Sequence, residues 1–128
     1  MNPKIQYQTS EGMSVVAFQV RNAVGVLWIL NRSGDITVAT GDAGKELLSY
    51  LDGETDLDLM DWGKGKGCTN GLELVSLLKG MLTWAKINEL SSLTFSPADE
   101  SLKSSYSRIA ARLGAEYSTI YDEYEIIL

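Results

Sequence analysis

The chain has no histidine among its 128 residues, a single cysteine, Cys68, and no apolar run that approaches a bilayer span. Without an imidazole, His-based triads and His-ligated metal sites are excluded, and no metal is expected. One thiol cannot close an internal disulfide, so a reducing, cytoplasmic setting is expected. Cations are scarce as well: 11 Lys and Arg stand against 17 Asp and Glu, a net charge of −6. Nucleic-acid binding by counterion release needs clustered Lys and Arg, so the balance argues against it, whereas a cationic substrate or basic protein surface is readily accommodated. The opening Met1-Asn2-Pro3-Lys4 lacks a signal-peptide pattern, and no membrane partner is expected. No repeat, linker or low-complexity segment is visible. A hydrophobic content of 45% with 22% charged residues then fits one ordinary folding unit over residues 1–128.

What is present centres on the stretch Trp62-Gly63-Lys64-Gly65-Lys66-Gly67-Cys68-Thr69-Asn70-Gly71. Gly63, Gly65 and Gly67 let a backbone approach a ligand closely, and the helix that follows offers free N–H groups and a partial positive charge. Lys64 and Lys66 add a close pair of cations, which suits a pyrophosphate. The same composition also describes an exposed connection. Upstream, Asp52, Glu54, Asp56, Asp58 and Asp61 cluster. Carboxylates so crowded have raised pKa values if desolvated, and otherwise form a solvated face.

The pattern along the chain predicts strands over 4–9, 14–20, 23–30 and 36–40, with Arg32-Ser33-Gly34-Asp35 as a hairpin turn. Val24, Val26, Trp28 and Leu30 share a face. A short helix over 42–51 follows, with Asp42 as its N-cap and Leu47, Leu48 and Leu51 inward. Period-two alternation over 55–61 predicts a strand leading into the glycine turn. Asn70 and Glu73 form a capping box for a helix over 71–87, in which Leu74, Val75, Leu78, Met81, Leu82 and Ala85 line one face and Gly80 allows close packing on the sheet. A strand over 90–95, a helix opening at Ser96-Pro97 with the stripe Leu102, Tyr106, Ile109 and Leu113 and ending at Gly114, and a terminal hairpin turning near Asp122-Glu123 complete the order. The expected fold is α+β: a mixed, mostly antiparallel sheet with flanking helices and one parallel β-α-β unit, joined by a right-handed crossover.

In this order and spacing the chain resembles the GNAT superfamily of acyl-CoA N-acyltransferases over roughly residues 13–128, best over 56–115. The resemblance implies a GNAT-like sheet in which the turn Lys64-Gly65-Lys66-Gly67-Cys68-Thr69 holds the pyrophosphate of acetyl-CoA as co-substrate. Gly114-Ala115 stands where the family's closing pair would be. The family's usual proton donor, a Tyr four residues before that Gly, is replaced by Ala110, which leaves Tyr106, one turn earlier, as the expected acid and Ser107 as a weaker candidate. Asp58 and Asp61 are the expected base. Too few residues separate Thr9 from Ser14 for the helices that usually wall the acceptor site, so the chain is similar to short phage-encoded members. The function implied is transfer of an acetyl group to a small-molecule or protein amine; the alternative is a catalytically inactive interaction or structural protein on the same scaffold. The apolar end Ile126-Ile127-Leu128 suggests a homodimer.

Overall fold

The computed structural model describes residues 2–51, 71–95, 103–118 and 123–128. Its strands are β1 (Ile5–Gln8), β2 (Ser14–Val20), β3 (Ala23–Leu30), β4 (Ser33–Thr40), β5 (Ser92–Phe95), β6 (Glu116–Ser118) and β7 (Glu123–Ile127). The helices are α1 (Gly41–Leu51), α2 (Gly71–Ile87) and α3 (Lys103–Leu113). The strands form one sheet in the order β1-β2-β3-β4-β5-β7-β6, antiparallel except where β4 and β5 run side by side from Ser33↔Ser92 to Ile36↔Phe95. The mixed, mostly antiparallel sheet that the pattern predicts is therefore present, with two described helices, α1 and α2, on the path between its two parallel strands where one was expected.

Strand β2 shows why the sheet has a core on each side. Val16 and Phe18 point one way, Val15 and Ala17 the other, and all four are 0% exposed, so the uninterrupted apolar run answers two covered faces. On the first face Phe18, Leu27, Leu93, Phe95 and Ile126 meet Leu77, Leu78, Met81 and Ala85 of α2, together with Ala110 of α3. On the second, Val15, Ala17, Val24, Val26 and Ala39 meet Leu47 and Leu51 of α1. Each fully buried side chain of Leu or Phe size contributes roughly 1.5–3 kcal/mol. Close packing of α2 is made possible at Gly25 of β3, where a Cβ would lie 2.5 Å from Met81 Sδ and 3.0 Å from Leu77 Cδ2.

Three expectations need correction. The β3–β4 turn is Asn31-Arg32, whose φ values of 51° and 66° suit the twist of a two-residue hairpin, and Ser33, Gly34 and Asp35 already belong to β4. Asp42 falls in the first turn of α1 rather than ahead of it. The neighbours of β5 are β4 and β7, so its parallel partner is β4 and not the segment 55–61, which lies outside the described residues. Helix α2 has the expected bounds, and α3 ends as expected at Gly114, with φ 75°. There the Ala115 amide bonds the Ala110 carbonyl at 2.9 Å and the Gly114 amide bonds the Ala111 carbonyl at 3.4 Å, as in a Schellman cap.

Candidate functional site

The alternation of β4 that the turn composition hides places Ser33, Asp35 and Thr37 on the second face and Gly34, Ile36 and Val38 on the first. Direct cross-strand pairing then sets one row of side chains across five strands: Trp28, Asp35, Thr94, Glu125 and Glu116. Glu123 and Ser118 form the next row on the same face. Residues beneath them on the other face, Tyr124 and Ile126, are buried. This is where the sheet changes from an apolar to an acidic surface, across the parallel pair β4/β5.

Asp35 lies between Trp28 and Thr94 in the row. Its Oδ1 accepts a hydrogen bond of 2.9 Å from the Thr94 hydroxyl, which ties the carboxylate to β5. On the other side Trp28 is held by its indole N–H, which donates to Thr37 Oγ1 at 3.0 Å. Asp35 is exposed as a whole, yet the surrounding strands strip enough water from its carboxylate to raise its pKa above the ordinary range, against the lowering effects of the Thr94 hydroxyl and the Ile36 amide. Glu123 is pushed the same way, by desolvation first and then by the charges of Asp35 and Glu125. Glu116 stands directly across from Glu125, and like charges so placed repel. The surface thus favours a cation laid over it. Among the described residues no three His, Cys, Asp or Glu side chains are grouped to hold a metal ion.

The opposite face carries a hydroxyl pair. Tyr124 stacks on Phe95 with ring centroids 5.3 Å apart, leans on Tyr117 at 5.1 Å, and its hydroxyl lies 2.7 Å from Ser107 Oγ of α3.

No protein-family model, curated protein or solved structure matches the chain. The site is therefore read from its own geometry. Of the residues that the sequence singles out, Asp58 and Asp61, the turn Lys64, Gly65, Lys66, Gly67, Cys68 and Thr69, and the cap residue Asn70 lie outside the described residues. Tyr106 belongs to α3, but its side chain is outside them too. Ala110 is 2% exposed and packs in the first core, and Ser107 is bonded to Tyr124. Asp35, Thr94, Glu123 and Tyr124 were not anticipated. The signal for Asp35 was the polar-apolar alternation of Ser33 to Val38, and for Glu123 and Glu125 the same alternation in the last strand.

Proposed function

We propose that this protein is an acyl-CoA-dependent N-acetyltransferase that takes acetyl-CoA as co-substrate and transfers its acetyl group to an amine, on a small molecule or a protein. The observation that carries the reading is a carboxylate of raised pKa, Asp35, set on the parallel pair β4/β5 of an otherwise antiparallel sheet. Further support comes from α2 preceding β5 and from the terminal hairpin that returns β7 beside β5; the order departs from the resemblance in that α1 follows β4, where the family's turn would follow the parallel strand directly. An amine arrives at neutral pH as an ammonium ion, which the acidic row attracts, and it must lose a proton before it attacks. Asp35 is assigned as the base in place of Asp58 and Asp61. The amine nitrogen bonds to the thioester carbonyl carbon, its proton passes to Asp35, the C–S bond breaks, and the departing thiolate takes up a proton. The turn 64–69 is assigned to the pyrophosphate, and Tyr106 remains the assigned donor to the thiolate.

Calorimetry and a turnover assay across an amine panel test this. The wild-type chain is expected to bind acetyl-CoA, Gly67→Glu to lose that binding, and Asp35→Asn to keep it while turnover falls about 10²–10⁴-fold. A chain that binds neither acetyl-CoA nor CoA ends the proposal. One observation favours the second reading, an interaction or structural protein on the same scaffold: the position of the usual donor, Ala110, is a packed core residue. Stoichiometric recovery of a protein partner, with no acetyl transfer to any amine, would establish that reading instead.

A further inference from the structure

We infer that β1 is a pairing edge for a second copy of this chain, which joins two sheets into one across a two-fold axis at Tyr7. Among the described residues β1 is the terminal strand of the sheet, and Gln6, Tyr7 and Gln8 are exposed. The Thr9 amide donates to the Met13 carbonyl at 2.8 Å, so this residue pair is a hydrogen-bonded one. By the alternation of an antiparallel ladder, Tyr7 turns its main-chain groups toward Val15, while Gln6 and Gln8 turn theirs away from the sheet. Among the described residues no hydrogen bond reaches these outward groups. Their spacing is self-complementary: in an antiparallel pairing centred on Tyr7, Gln6 of each copy exchanges N–H and C=O bonds with Gln8 of the other.

Charge decides between the two ends of the sheet. The chain carries a net −6, so two copies repel unless they meet where acids are few. The far edge is β6, three residues long, with Glu116 on it and Glu123 and Glu125 on the next strand. The four residues of β1 carry no charge; Pro3 and Lys4 stand just before them, and the Lys4 amide turns in to the Ala17 carbonyl at 2.7 Å, so the open edge is residues 6–8. Tyr7, 37% exposed, comes to face its own copy in the close, non-hydrogen-bonded position, which covers both rings. At the chain end Ile126 is buried, Leu128 packs against the first core, and β7 lies between β5 and β6, which leaves Ile127, 68% exposed, as the open apolar side chain there.

This inference stands apart from the acetyltransferase reading, because its test needs neither acetyl-CoA nor turnover. Sedimentation of the full chain is expected to show a dimer. Gln6→Pro removes an outward N–H that β2 does not use, and it should raise the dimer dissociation constant about tenfold or more with the far-UV spectrum unchanged. In a Cys68→Ser background, Tyr7→Cys should oxidise to a covalent dimer and Tyr117→Cys on β6 should not, a comparison that decides the matter even if Gln6→Pro fails to fold. A wild-type chain that stays monomeric at its highest soluble concentration, a dimer indifferent to Gln6→Pro, or cross-linking through Tyr117→Cys alone would overturn it.

Discussion

Asp35 and Glu123 are held where the folded chain disfavours their charge, and this fixes the sign of a pH effect. Both pKa values are raised, so the native state binds these protons more tightly than the unfolded chain does. Stability then falls as pH rises from the unfolded carboxylate range, about 4, through the raised native values, and the full penalty is present at pH 7. Asp35→Asn leaves an acceptor for the Thr94 hydroxyl and removes the charge, so it should raise the thermal midpoint at pH 7 and lose that advantage toward pH 3. Glu123→Gln should behave alike. The double variant should gain less than the sum, because each charge is part of the other's penalty. Melts across that pH range read all three; a gain from Asp35→Asn that does not depend on pH would refute the electrostatic origin. Combined with lost turnover, a gain at pH 7 is the pattern of a residue kept for chemistry at some cost in stability.

Among the elements, the end of α2 shows what patterning leaves out. The helix closes with the Leu90 amide on the Ala85 carbonyl at 3.0 Å and the Glu89 amide on the Lys86 carbonyl at 3.2 Å, a Schellman cap whose left-handed position, φ 60°, is filled by Glu89 where Gly is usual. Arg32, itself at φ 66°, reaches across from the β3–β4 turn and donates from Nε and Nη2 to the Glu89 carbonyl at 2.9 and 2.7 Å, while Ser91 returns an amide bond to the Arg32 carbonyl at 2.7 Å. Glu89→Gly keeps that carbonyl and relieves the left-handed strain, so it should stabilise by about 0.5–1 kcal/mol in urea denaturation; a loss would mean that the Glu89 side chain holds the corner. A long-range latch of this kind leaves no local trace, which is why the turn was misplaced. Gly34 and Asp35 have the stronger turn composition, but Gly34 instead admits Leu93: a Cβ there would lie 2.8 Å from Leu93 Cδ2. The strands β2 and β3 and the helix α2 were legible to the residue, because long periodic runs carry their own signal. Which strand lies beside β5 was not, since alternation says that a segment is extended and not what it pairs with. The acidic row was hidden for the same reason: it exists only once five strands are set in register.

At the level of the whole molecule, the sheet is two hairpin assemblies joined by a short parallel seam. β1 to β4 form a meander of local contacts, whereas β5, β7 and β6 join it through four residue pairs between strands 59 positions apart. Local pairing repays loop closure early and long-range pairing repays it late, so the two halves should differ in how readily they open. The second half also carries the repelling carboxylates, Glu116 across from Glu125 and Glu123 near Asp35, and its strands have three to five residues where β2 to β4 have seven or eight. Native-state hydrogen exchange should therefore show β6 and β7 opening at lower free energy than β2 and β3. Gly34→Ala makes the test specific. The added methyl meets the Cδ2 end of Leu93, itself 0% exposed, within the seam, so either that side chain repacks inside the core or β5 shifts away from β4. An overpacked core position costs typically 1–3 kcal/mol, and here the loss should appear as reduced protection of β5, β7 and β6, with β2 and β3 retaining theirs until global unfolding. Equal loss across all seven strands would mean that the sheet opens as one unit and that the seam is as strong as the ladders on either side of it.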